Sequence, residues 1–214
     1  MATKTRCVHS GPATWLRPVL EEWCEVVVDF CRAFEWEDVP WWYGERTAVG
    51  MFAAALIRAG WVVLEEFSTE KVEDPKSLTG INGRQDLLAV RRSKGFVAEA
   101  KNNWTRVPSR GGGLKSLLYR LVDDATCDAM AKNPYGYKRI AIVFSSPKIR
   151  RSDNLTDATS EWCSTINKLE DCARAWVLPK RAARFPEGTE SDDKKAGWGN
   201  FIFPGTAVIV RECS

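Results

Sequence analysis

Gly83–Trp104 reads GRQDLLAVRRSKGFVAEAKNNW, two apolar runs on either side of a basic turn. The pattern predicts two strands joined as a hairpin. Asp86 opens the first strand, and Glu99 and Lys101 stand two apart in the second. Strand side chains alternate, so Glu99 and Lys101 share one face while Ala98 and Ala100 take the other. A hairpin loop with an even number of residues, Ser93-Lys94 or Arg92 to Gly95, sets Asp86 opposite Glu99 or Lys101, and opposed residues share a face. Two carboxylates and an amine then meet, and such a group can hold a divalent cation beside a phosphate. The plainer alternative is a surface ion pair between Glu99 and Lys101, with Asp86 in a turn. The apolar run Phe96–Ala98 argues that the second strand enters the core, where an unmatched charge is costly.

Working outward, Trp42 to Ala59 predicts a helix stopped by Gly60, with Val49, Phe52, Ala53, Leu56 and Ile57 as its buried stripe. Glu45 lies one turn before Val49 on the same stripe. The helix dipole favours a glutamate in the first turn, and a position facing the sheet would bring a third carboxylate to the hairpin; the two readings carry equal weight. Trp61–Ser68 predicts a strand, followed by the acidic loop TEKVEDPKSLTG. RVPSRGGG predicts a flexible loop after the hairpin, and about Leu114 to Lys132 a helix with the stripe Leu114, Leu117, Leu118, Leu121, Ala125 and Ala129. Arg139–Ser145 is a near-continuous apolar run, as in a strand covered on both faces, reached by a crossover that fits a parallel pair.

On the flanks, Thr14–Phe34 predicts an amphipathic helix with Leu16, Leu20, Trp23, Val27 and Phe30 inward and Pro18 in its first turn. PKIRRSDN predicts a basic loop. Asp157–Trp176 predicts a helix from Trp162, Ile166, Leu169, Ala173 and Trp176. Pro179–Asn200 is rich in proline, glycine and charge. Phe201–Val210 predicts an edge strand broken at Pro204-Gly205. One domain over residues 1–214 is expected, with a core over 42–145, an N-terminal helix over 14–34 and a C-terminal helix plus edge strand over 157–210. The class is α/β, a central mixed sheet with helices on both faces.

The bulk numbers exclude several chemistries. Seven scattered cysteines form no CxxC pair, and the single histidine, His9, lies near a loose end. That disfavours a zinc site and Ser-His-Asp or Cys-His catalysis, and fits reduced thiols in a cytoplasmic protein. A net charge of +3 is too small to name a partner. No apolar run has the length of a membrane span, and the N-terminus lacks the apolar middle of a secretion signal. What remains is carboxylate, lysine or metal chemistry.

The order helix with Glu45, strand, Asp86 strand, Glu99-Ala100-Lys101 strand, helix, strand resembles the PD-(D/E)XK nuclease superfamily, the restriction-endonuclease-like fold with its αβββαβ core. The resemblance rests on Glu45, Gly60-Trp61, GRQD at Gly83–Asp86 and EAK at Glu99–Lys101, and covers about Trp42 to Ser145. Gln85 stands where the name-giving proline would be, and the long helix lacks the Gln and Tyr pair of the exonuclease-like branch. The resemblance implies a metal-dependent hydrolysis of phosphodiester bonds, most readily in DNA. It implies Mg²⁺ (or Mn²⁺) held by Asp86, Glu99 and the Ala100 carbonyl, with Glu45 as a further ligand. Lys101 then orients or deprotonates water, or stabilises charge on the phosphate, the last being favoured beside two carboxylates. Arg84, Arg106, Arg110 and Lys115 are candidates for backbone contact, and Trp104 for stacking, although packing is the commoner role. A homodimer is possible. The alternatives are a non-catalytic nucleic-acid- or protein-binding member of the fold, or a nuclease toxin or effector.

Overall fold

The computed structural model describes residues 3–8, 11–71, 81–107, 113–130, 136–179, 183–184 and 200–213, the side chains of 68–71, 81–83 and 183–184 excepted. In chain order these form β1 (Lys4–Val8), a 3₁₀ turn (Pro12–Leu16), α1 (Arg17–Ala33), a second 3₁₀ turn (Pro40–Trp42), α2 (Glu45–Arg58), β2 (Val62–Lys71), β3 (Ile81–Arg91), β4 (Lys94–Val107), α3 (Gly113–Met130), β5 (Lys138–Arg150), α4 (Leu155–Asn167), β6 (Ala173–Leu178), β7 (Ala183–Arg184), β8 (Phe201–Phe203) and β9 (Thr206–Cys213). All described strands join one mixed sheet, whose main path is β1-β6-β9-β5-β4-β3-β2, with β7 and β8 attached to the end of β5. Among the described strands only β4 and β5 pair in parallel. Between them runs α3, the crossover that a parallel pair requires.

Alternation along β5 sorts the helices onto the two faces. Ile140, Ile142 and Phe144 join a core with α1 and α2. Ala141, Val143 and Ile149 join a second core with α3 and α4. Both faces of the strand are covered, which is why its sequence reads as a continuous apolar run. α2 docks by Val49, Phe52, Ala53, Ala55 and Leu56, with Phe52 edge-on to Phe144 at 6.3 Å. Gly60, at φ +84°, ends the helix in the left-handed region open to glycine.

The hairpin forms with a turn of two residues, Arg92-Ser93, closed by Arg91 opposite Lys94, one residue earlier than the expected Ser93-Lys94 and shorter than the expected Arg92 to Gly95. That register runs as far as Leu87 opposite Ala98 and, continued by one residue, would set Asp86 against Glu99, but the ladder stops short of it. Asp86 lies inside β3 rather than at its start, since β3 begins at Ile81.

Five other expectations are corrected. Ile57 is 60% exposed, because α2 turns it away from the sheet. The helix predicted over Asp157–Trp176 ends at Asn167, and Ala173–Leu178 is the buried strand β6. The spacing of Leu169, Ala173 and Trp176 continues a helical period across a turn where Asp171 has φ +55°. Arg174 of β6 donates to the carbonyls of Asn167 and Cys172 at 2.5 and 2.6 Å, satisfying the helix end. Lys148-Ile149-Arg150 is strand rather than loop, paired with β4 and β8. β9 is an inner strand between β5 and β6, not an edge. Finally, Lys4–Val8 is no loose end but an edge strand on β6; His9 and most of 179–200 lie outside the described residues.

Phe52→Ala removes the ring that fixes α2 on β5. A loss of about 3–5 kcal/mol in unfolding free energy is expected. Urea denaturation followed by circular dichroism measures it, and a loss under 1 kcal/mol would show that α2 is held elsewhere.

Candidate active site at the seam of β3 and β4

β4 is paired with β5 along twelve residues, Phe96 to Val107. Its other side is paired with β3 only from Lys94 to Ala98. Alternate N–H groups point to the same neighbour, so those of Ala100 and Asn102 point into the gap where β3 leaves. A buried backbone donor needs a partner. Asp86 Oδ2 accepts from Ala100 N at 2.8 Å, and Glu45 Oε2 accepts from Asn102 N at 3.1 Å. Two carboxylates, one from β3 and one from the first turn of α2, thus take the place of a neighbouring strand. A residue's carbonyl points to the same side as its N–H, so the Ala100 carbonyl also faces this gap.

The peeling has a local cause. Along β2 and β3 the register is constant from Val62↔Val90 to Lys71↔Ile81, but the pair Glu66 and Asp86 is missing from the ladder. Glu66 has φ +51°, a conformation costly for a residue with a Cβ. Its carboxylate is held by Arg46 at 2.8 Å and by Arg84. This distortion frees Asp86 from the ladder and lets its side chain turn to β4.

Glu45 and Asp86 line one pocket of about 240 Å³ together with Arg46, Val49, Glu65 and Glu66. Burial pushes the Glu45 carboxyl above its usual range, and the charge of Asp86 adds to the rise; Lys101 and the Asn102 N–H pull the other way. Glu99 is buried at 5% exposure. Glu99 and Lys101 alternate with Ala98 and Ala100, whose side chains join the α1–α2 core, and so turn toward α3. There Lys101 Nζ meets Asp128 of α3 at 2.5 Å. Chiefly that hydrogen bond, and then the charges of Asp128, Glu45 and Glu99, hold Lys101 above the ordinary lysine value against the opposing effect of burial. It is a firm cation.

The structure therefore brings Glu45 and Asp86 into one pocket and keeps Lys101 within electrostatic reach of Glu45 and Glu99. It does not bring all four expected residues to one lining, since neither Glu99 nor Lys101 borders the pocket. Among the described residues, no three His, Cys, Asp or Glu side chains are gathered closely enough to hold a metal ion. Glu45 and Asp86 fit such an ion in kind: both are hard oxygen donors, and their mutual repulsion is what a cation would relieve.

Of the basic candidates, Arg84 sits beside the pocket on Glu66. Arg106 lies five residues further along β4, beside Lys148. Lys115 stands over the Tyr119 ring at 5.6 Å, thirteen residues from Asp128 on α3. Arg110 lies outside the described residues. Trp104 is a packing residue: its Nε1 donates to Trp41 O at 2.8 Å. Asp128, Glu65 and Glu66 were not anticipated. Two consecutive acids inside the apolar run Trp61–Ser68 were the available signal for the last two; Asp128 had none, being one more acid on an exposed helix flank.

No family model, curated protein or solved structure matches the chain. Among the described residues, no helix is long and apolar enough to cross a membrane.

A carboxyl with a raised folded pKa binds its proton more tightly when folded. Its contribution to stability is complete below the unfolded pKa and is lost as pH rises through the folded one. Glu45→Gln should therefore match the wild type near pH 4 and gain on it toward pH 7, by on the order of 1–3 °C in Tm. Thermal melts across this range check it, and a difference that stays flat or falls would show that Glu45 is not destabilised by its surroundings.

Proposed function

We propose that the chain is a metal-dependent nuclease with a restriction-endonuclease-like core, hydrolysing phosphodiester bonds in DNA. The observation that carries the reading is the pair of carboxylates, Asp86 and Glu45, seated on successive β4 donors on either side of Lys101. The order α2, β2, β3, β4, α3, β5 supports it.

In this reading Asp86 and Glu45 would hold Mg²⁺ or Mn²⁺, with the Ala100 carbonyl facing the same gap. The ion would supply charge neutralisation and a more acidic water. Glu99, buried on the α3 face of β4, adds to the negative charge that keeps Lys101 protonated. Lys101 stabilises the negative charge that builds on the phosphate during attack, and it does not serve as the base, since Asp128 keeps its proton in place. Asp128 is a positioning residue that fixes the ammonium. Glu45 binds a cation only when ionised, so cleavage should rise with pH through its elevated pKa.

Asp86→Ala and Lys101→Ala should each lower Mn²⁺-dependent plasmid cleavage by about 10²–10³-fold or more, with unchanged circular dichroism. Full activity in Lys101→Ala, or cleavage by the wild type that persists in EDTA, would overturn the mechanism.

A further inference from the structure

At the other end of the hairpin lies a larger pocket of about 920 Å³ that shares no residue with the carboxylate site. It is bordered by Trp15, Trp61 and Tyr137 and by Arg91, Arg92, Lys94 and Lys138. Gly95, which lines it, is six positions before Lys101 on β4, about 20 Å along the strand.

The aromatic side is fixed. Trp15 and Trp61 lie 5.9 Å apart at 44°, and both abut the buried Phe96 ring at 5.6 and 5.4 Å. Trp15 Nε1 donates to Glu212 Oε2 at 2.7 Å. Gly95 lies close under the Tyr137 ring, which a Cβ there would meet at 3.0 Å. The charged side is open. Arg91, Arg92 and Lys94 are exposed and form no ion pair with any described residue. Lys138 spans both sides, 5.6 Å from the Trp15 ring centroid and paired with Glu212. Among the described residues no acid lines the pocket, and Glu212 reaches it only through its bonds to Trp15 and Lys138. Arg92 has φ +56° at the first turn position, where glycine is the unstrained residue.

We infer that this pocket binds a short segment of single-stranded nucleic acid, its bases against Trp15, Trp61 and Tyr137 and its phosphates on Arg91, Arg92 and Lys94. Aromatic faces accept any base, and cations arrayed along a rim match the repeat of phosphates on a chain. Duplex bases are stacked on each other and do not present a face to such rings. The volume lies within the range of about 300–1,000 Å³ typical of ligand sites. The inference does not rest on the nuclease reading.

The test is fluorescence anisotropy with a labelled eight-nucleotide thymidine oligomer in EDTA, so that no cleavage is read. Arg92→Gly combined with Lys94→Ser should weaken binding about tenfold or more, and lower the slope of log K against log salt by about 1.4, the value for two phosphate contacts on a single strand. Arg92→Gly relieves a positive φ, so the variant keeps its fold. An abasic oligomer of the same length should bind several-fold more weakly. Unchanged binding by the double variant, or equal binding of the abasic oligomer, would overturn the site. Thymidine monophosphate competing mole for mole with the oligomer would overturn the strand in favour of a free nucleotide.

Discussion

The hydrogen bond from Ala100 N to Asp86 Oδ2 is the contact on which the candidate site depends. β4 is locked to β5 for its whole described length from Phe96, so its position is settled by the core. β3 follows β4 only as far as Leu87↔Ala98. From there the sheet would present bare donors, and the two nearest are covered by carboxylates instead of carbonyls. A carbonyl would have satisfied the backbone without bringing charge. A carboxylate satisfies it and leaves a second oxygen and a full negative charge at the seam. The structural requirement of the strand and the chemistry of the pocket are met by the same atoms.

The charges around this seam are partitioned by the sheet. On the α2 side, Glu66 is occupied by Arg46 and Arg84, which leaves Glu45 and Asp86 to repel each other. On the α3 side, Asp128 secures Lys101. A pair of carboxylates in mutual repulsion beside a cation that stays charged is the arrangement on which the proposed binding of a cation and a phosphate rests. In a purely structural role, its acids would be expected to find their own bases, as Glu66 does.

Much of this was legible in the sequence, because the hairpin is local. The period of two in LLAV and FVAEA and the basic turn between them were enough to place the hairpin and to bring Asp86 near Glu99 and Lys101, but not to choose between the two partners, because the turn is centred one residue earlier than either expected loop. The helix with Glu45 and the crossover through α3 followed from period and length. What failed was non-local. Ala173 and Trp176 continue the spacing of Trp162 and Ile166, and only the slot between β1 and β9 makes ARAWVL a strand. Pro204-Gly205 suggested an edge, yet β9 is flanked on both sides, and Gly205 is needed because a Cβ would collide with the Val177 carbonyl. Asp128 acquires meaning only when α3 folds back over β4. The distortion at Glu66, which frees Asp86, has no sequence signature, because glutamate is unexpected at positive φ.

Whether the seam holds a divalent cation is the central question about this protein. Isothermal titration of Mn²⁺ into the wild type and into Asp86→Ala tests this without reference to any substrate. Saturable binding in the wild type that is lost in Asp86→Ala and weakened in Glu45→Gln is the predicted result. No binding in the wild type, or equal binding in Asp86→Ala, would contradict it.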